Sequence, residues 1–267
     1  LNMNALEANF ADAHHSFLIS QYIAPLWSGA SEWGLHFGER LFWWVHILGI
    51  FAFLNYLPYS KHFHIILAFP NTYYANLEAK GRFENNAAVT KEVALMMDPS
   101  ADPFAAPAPD ADAPIERFGA KDANDLSWAN LLNAYTCTEC GRCTSECPAN
   151  LTGKKLSPRK IMMDTRDRIE EIGQNIATNG SFLDDGKSLL GDYITNEELW
   201  ACTSCNACVQ ACPVDIDPLN IIMKLRNFAT MEESSAPGAL NAMMTNVENN
   251  GAPWPFNQMD RANWINE

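Results

Sequence analysis

All eight cysteines of the 267-residue chain fall into two copies of one spacing, Cys-x2-Cys-x2-Cys-x3-Cys-Pro. The first copy is Cys137, Cys140, Cys143 and Cys147 with Pro148; the second is Cys202, Cys205, Cys208 and Cys212 with Pro213. Two-residue spacers let a loop wrap three thiolates around three corners of an iron-sulfur cube, while the fourth cysteine, beside proline, is directed away. In two-cluster ferredoxins that fourth residue ligates the other cluster. The runs therefore predict two 4Fe-4S clusters, one on Cys137, Cys140, Cys143 and Cys212, the other on Cys202, Cys205, Cys208 and Cys147. The competing chemistry is a pair of structural zinc sites, because Cys-x2-Cys is also a zinc spacing. Zinc has no need of the third and fourth cysteines at these intervals, nor of the proline, in duplicate. With every cysteine assigned as a ligand, no iron is left open to a substrate. The expected work is transfer of single electrons, with no complete catalytic site in this chain.

Helical signals surround the runs. Ser127 can cap a helix through Asn133 that leads into Cys137. Ser157-Pro158 is an N-cap followed by proline at the first helical position, opening RKIMMDTRDRIEEI, and Asp217-Pro218 does the same before LNIIMKLRNF. Each cysteine run is thus followed by a Pro-started helix with an apolar Ile-Met face and a downstream arginine, an internal repeat. No convincing alternating strand is present, so the expected fold is mainly α, a membrane-spanning helix followed by an α-helical two-cluster domain.

The span is predicted from LFWWVHILGIFAFLNYL, residues 41–57, in which only His46, Gly49 and Asn55 are not clearly apolar. A bilayer needs roughly 20 apolar residues, and apolar character resumes after Pro58 with HFHIILAF, so a helix over 39–70 is expected. Trp43 and Trp44 at one end and Tyr56 and Tyr59 near the other fit interfacial aromatic belts; a buried core helix is the alternative. The first forty residues hold one basic residue, Arg40, whereas Lys61, Lys80, Arg82 and Lys91 follow the run. By the positive-inside rule the downstream side is cytoplasmic. Eight cysteines free to hold iron also require a reducing compartment. The expected location is the inner, cytoplasmic membrane, with the iron-sulfur domain on the cytoplasmic side.

The remaining organisation follows from composition. Residues 1–38 form an extramembrane or interfacial segment, 71–97 a juxtamembrane region, and 98–122 a Pro/Ala/Asp-rich linker whose core, DPSADPFAAPAPDADAPIE, has five prolines, five acidic residues and no basic one. The two-cluster domain is expected over 123–232. A tail over 233–267 carries Trp254, Phe256 and Trp264, which suit a partner interface or pack on their own domain. A formal charge of -14 argues against a nucleic-acid partner. No cleavable signal peptide is recognisable, and the chain begins with Leu1, so an incomplete amino terminus is an open expectation.

About 54 residues lie between Cys147 and Cys202, with helical signals, more than a compact bacterial ferredoxin requires. This resembles the α-helical ferredoxin domain of succinate dehydrogenase and heterodisulfide reductase iron-sulfur subunits. SWANLLNAYTCTECGRCTSECPANLTGKKLSPRKIMMDTR is similar to the small iron-sulfur subunit of heterodisulfide reductase, over roughly residues 125–230. The segment from Trp43 through PYSKHFH resembles the last helix of nitrate reductase gamma subunit-like cytochromes b. That resemblance implies haem b with axial ligands His46 and His64.

On an unbroken helix these two histidines, eighteen residues apart, share one face about 27 Å from each other, close to a hydrocarbon thickness of ~30 Å. The second axial ligands would come from cytochrome b-like helices in a longer chain or another subunit. His14, His15, His36 and His62 are read as ordinary surface or interface residues. The assembled resemblance implies an electron-transfer subunit of a membrane-bound quinone-linked oxidoreductase. It passes electrons between haem b or menaquinone and a soluble or Cys-Cys-Gly-type catalytic partner. The alternative is a membrane-anchored ferredoxin module without haem, in an accessory or scaffold role. A soluble fumarate-reductase-type subunit is disfavoured, because four further cysteines for a plant-type cluster are missing.

Overall fold

The computed structural model describes residues 2–9, 18–98 and 117–266. Most of the expected linker, with His14 and His15, lies outside the described residues. Two compact units are present, Leu1–Phe63 and His64–Glu267. Among the described residues the secondary structure is helical, with no strand and one isolated bridge between Leu190 and Ile194.

In the first unit, α1 (Asn2–Glu7) packs on α2 (Glu32–Tyr56) and buries Ala5 and Leu6, while Leu35 is buried on α2. A Cβ at Gly38 would come 3.1 Å from the Leu6 side chain, so glycine permits this close approach. Helix α2 starts earlier than residue 39 because Ser31 caps it, its hydroxyl accepting the Gly34 N–H at 3.2 Å, and Glu32 complements the helix dipole. From Leu41 to Leu54 most of its large side chains are exposed. The segment Glu32–Tyr59 is the one stretch, among the described residues, long and apolar enough to cross a membrane.

The expected helix over 39–70 is not continuous. Proline has no N–H to give the i−4 carbonyl and its ring crowds that carbonyl, so α2 ends at Tyr56, ahead of Pro58. Two 3-10 turns, Leu57–Tyr59 and Lys61–Phe63, follow, with an extended Ser60 between them. Helix resumes in the second unit as α3 (His64–Tyr73).

The second unit continues with α4 (Ala87–Met97), α5 (Trp128–Thr136), α6 (Arg142–Ser145), α7 (Pro148–Leu151), α8 (Pro158–Asn179), α9 (Asn196–Ala201), α10 (Ala207–Gln210), α11 (Pro218–Met231) and α12 (Gly238–Asn250). The expected caps form: Ser127, Ser157 and Asp217 accept the N–H groups of Asn130, Lys160 and Asn220. Helices α8 and α11 contribute Ile161, Met162, Leu219, Ile221, Ile222 and Leu225 to the core, each almost fully buried. Gly119 runs so close to α11 that a Cβ there would lie 2.3 Å from the Phe228 nitrogen.

Helix α3 packs on α5. Buried Asn71 donates to the Val214 carbonyl at 2.7 Å, and Tyr74 meets Trp128 edge-on at 5.0 Å. Beyond α12 the side chains of Trp254, Phe256 and Trp264 are exposed.

Candidate iron-sulfur centre

The first cysteine run threads through a loop, α6 and α7; the second threads through a loop and α10. Glu139 and Ser204, the residues just before the second cysteine of each run, adopt positive φ (59° and 55°); so do Gly141 and Asn206, just after it (82° and 61°). Non-glycine residues enter this region rarely, and successive right- and left-handed residues turn backbone N–H groups into a concavity suited to anionic sulfur. The Ser204 N–H points at Cys202 Sγ, 3.4 Å away, and the Glu139 N–H bonds to the Cys137 thiol. Gly141 and Asn206 then cap α6 and α10, which carry Cys143 and Cys208. Pro148, with its fixed φ, opens α7 directly after Cys147.

This local repeat divides the thiols between two cavities. Cys137, Cys140 and Cys143 line one together with Cys212; Cys202, Cys205 and Cys208 line the other together with Cys147. Cys208 also reaches the edge of the first cavity. Both cavities are partly open, and the one that holds Cys137, Cys140, Cys143 and Cys212 is the larger. Among the described residues, no three His, Cys, Asp or Glu side chains converge as a single metal ion would require. A rim of four thiols around such a space fits a multi-iron group with thiolate ligands better than one zinc, which draws sulfurs to about 2.3 Å from a common point.

Burial is the main electrostatic influence on the thiols. It raises the pKa of Cys137, Cys143 and Cys202, and pushes Cys208 up to about 12. Without metal these groups hold their protons, so metal binding must displace them. Cys140 and Cys205, by contrast, are exposed at the loop tips.

The arginines expected downstream of each Pro-started helix occupy matching places. Arg166, eight residues after Pro158, pairs with Glu139 at 2.7 Å; Arg226, eight residues after Pro218, donates to Ser204 Oγ at 3.2 Å. Arg226 also donates to the carbonyls of Leu199 and Cys202 at 2.8 and 2.6 Å and lies 4.9 Å over the Trp200 ring. Their repeat was readable; their partners, 27 and 22 residues away, were not.

Arg168 carries no such signal in the sequence. It is fully buried on α8 and donates to both Asp122 and Asp185 carboxylates, at 2.7 and 2.6 Å, and to the Lys187 carbonyl at 2.9 Å. Its guanidinium holds the Asp185 carboxyl down at about 2. This cluster ties the chain entering the domain to the connection between α8 and α9.

His46 lies in α2 and His64 opens α3. The unbroken helix that would place both rings on one face is absent. His36 lies on α2 and His62 in the 3-10 turn, where its ring meets Phe53 edge-on at 5.8 Å.

Comparison with known proteins points to iron-sulfur binding. Residues 136–216 match the family of 4Fe-4S dicluster domains. A probable iron-sulfur-binding oxidoreductase, FadF, of Bacillus subtilis is 31% identical over 93% of this chain and 36% of its own length. The EtfAB:quinone oxidoreductase of Syntrophomonas wolfei is 29% identical over 86% of this chain and 31% of its own length. A subunit of the ferredoxin/F420H2-dependent CoB-CoM heterodisulfide reductase of Methanosarcina acetivorans is 31% identical over 41% of this chain and 54% of its own length. The chain therefore spans about a third of the length of the first two relatives. Residues 136–216 are a 4Fe-4S dicluster domain, and the chain that carries them is a heterodisulfide reductase-like iron-sulfur protein.

Proposed function

We propose that this chain carries single electrons between the quinone pool and a catalytic partner, as the electron-transfer part of a membrane quinone-linked oxidoreductase. The observation that carries this reading is the sorting of eight thiols into two cavities, three from one run and the fourth from the other. Cys137, Cys140, Cys143 and Cys212 would hold one 4Fe-4S cluster, and Cys202, Cys205, Cys208 and Cys147 the second. Each cluster supplies a one-electron carrier. The chain's own residues bind, exclude water and set the local field: Ile216 and Met162 line the first cavity, Leu156 and Ile222 the second.

Helix α2 is the proposed membrane span, with the dicluster unit on the cytoplasmic side, and the oxidoreductase and quinone-linked names of two relatives support the setting. The segment around residues 98–122 would serve as a linker, and exposed Trp254, Phe256 and Trp264 would meet a cysteine-rich partner. His46, an ionisable side chain within an apolar span, is the proposed haem b ligand, with its second axial ligand from a helix outside this chain. His64 keeps only the sequence resemblance as support.

Electron paramagnetic resonance of the reduced, membrane-inserted protein is expected to show two interacting 4Fe-4S clusters. Metal analysis finding zinc in place of iron contradicts the reading. The break after Tyr56 favours a second reading, a membrane-anchored ferredoxin without haem, because it removes the shared face for His46 and His64. A reduced-minus-oxidised optical spectrum of the intact complex separates the two. A b-type signal lost in His46→Ala supports ligation, and an unchanged signal removes His46 from the site.

A further inference from the structure

The two cysteine runs superimpose position for position in sequence, so their differences stand out. Glu139 and Ser204 are equivalent, each two residues after the first cysteine with positive φ. Arg166 and Arg226 are equivalent, each eight residues after the proline that opens its helix. In both halves the arginine reaches the equivalent loop residue. In the first half that residue is a carboxylate and the pair is neutral. In the second it is a hydroxyl, and no carboxylate among the described residues lies within ion-pair distance of Arg226. The other acceptors of Arg226, the carbonyls of Leu199 and Cys202, are uncharged.

We propose that Arg226 is a positioning residue that holds an uncompensated positive charge against the cluster proposed on Cys202, Cys205, Cys208 and Cys147, raising that cluster's reduction potential, whereas Arg166 is neutralised by Glu139 and leaves the first cluster unshifted.

A reduced cluster carries one more negative charge than an oxidised one, so a fixed cation nearby favours reduction. Arg226 is anchored by its Cys202 carbonyl contact at 2.6 Å and by the Trp200 ring. It is partly shielded from water and remains charged in a protein. At an effective dielectric constant of about 20, a unit charge about 8 Å away is worth roughly thirtyfold in a one-electron equilibrium, which partial exposure to solvent reduces to about tenfold.

Two other sets of charges lie near the cavities. Arg142 and Arg159 line the first cavity but are exposed, where solvent and salt screen them. Asp217 approaches Cys208, but its carboxylate accepts the Asn220 N–H at 2.9 Å and faces the positive end of α11, which offsets it.

The inference rests on the ligand assignment proposed above. In the full-length membrane protein, Cys140→Ser and Cys205→Ser first identify which of two resonance-monitored midpoints belongs to which cavity. If both changes perturb the same cluster, the assignment fails and the inference falls with it. With the assignment intact, Arg226→Gln is expected to lower the second midpoint by about tenfold in equilibrium constant, ~59 mV for one electron. Arg226→Lys, which keeps the charge but not the fork, should retain most of it. The charge-neutral double change Glu139→Gln with Arg166→Gln should leave the first midpoint within a few-fold of its original value. Ser204→Glu, which installs the missing carboxylate and leaves Arg226 in place, should lower the second midpoint and spare the first. That change decides the matter if Arg226→Gln loses its cluster or does not fold. Iron and sulfide content report cluster occupancy separately from potential. An unmoved second midpoint in a fully loaded Ser204→Glu or Arg226→Gln protein overturns the proposal.

Discussion

Along α2, Trp44, Leu48, Phe51 and Leu54 leave 54%, 58%, 57% and 53% of their surface uncovered, whereas Ile221, Ile222 and Leu225 on α11 leave 0–1%. Both helices are rich in large apolar residues. In α11 those residues alternate with Asn220, Lys224, Arg226 and Asn227, which confines burial to one stripe facing α8 and α9. From Leu41 to Leu54, α2 has no charged residue on any side. An apolar helix without a protein partner for its circumference needs another apolar phase. A partner-covered stripe needs none. The dicluster unit thus buries its apolar side chains within the chain, while α2 leaves most of its own exposed.

Four changes press on that contrast, in descending order of effect. Cys208→Ser removes a thiol that lines both cavities. It is expected to abolish one cluster, with iron per chain falling to about half, while Leu48→Ala in α2 leaves iron content unchanged. Retention of both clusters in Cys208→Ser breaks the distinction.

Next is Arg168→Ala. It leaves the Asp122 and Asp185 carboxylates without their cation, in a network centred on a side chain with no exposed surface. Breaking a buried pair in this way costs about 3–5 kcal/mol, read as a lower denaturation midpoint of the dicluster unit. A loss below about 1 kcal/mol would place the cluster among ordinary surface pairs.

The third change, Leu48→Arg, tests the other side. A central arginine costs roughly 2.5–3.5 kcal/mol on insertion scales. Carbonate extraction should then release a larger share of the protein from membranes. Unchanged retention, or better solubility with no loss of membrane protein, contradicts a lipid-facing α2.

The smallest effect concerns acid. The Asp185 carboxyl is held at about 2 by Arg168, against roughly 3.9 in an unfolded chain. Its folded-state value is depressed, so its contribution is complete above the unfolded value and is lost as pH falls towards 2. Asp185→Asn should flatten the fall in stability of the dicluster unit between about pH 4 and pH 2. An undiminished slope in that window would assign acid sensitivity to other carboxyls.

Sequence reasoning was strongest where the cause is local. Ser127, Ser157 and Asp217 cap their helices because a short side chain meets an N–H three residues on, and Pro158 and Pro218 fit the first helical turn. Cys147 and Cys212, each followed by proline, line the cavity that holds the other run's first three cysteines. What escaped was set by distant residues. Asp122 lies 46 residues from Arg168, and nothing in the local pattern marks either as a partner. The apolar run conceals the two punctuations that set the limits of α2, Ser31 at the start and Pro58 at the end. Positive φ at Glu139 and Ser204 was equally hidden, because neither residue type favours it.

Crossed ligation of two 4Fe-4S clusters by the eight cysteines, as proposed, is open to direct measurement. Iron and acid-labile sulfide should be quantified in the anaerobically purified, membrane-inserted protein, together with resonance spectra of Cys147→Ser and Cys212→Ser. About eight irons per chain are expected, with loss in Cys147→Ser of the cluster that Cys205→Ser also removes, and loss in Cys212→Ser of the one that Cys140→Ser removes. A Cys147→Ser protein that instead loses the cluster shared with Cys140 would contradict it.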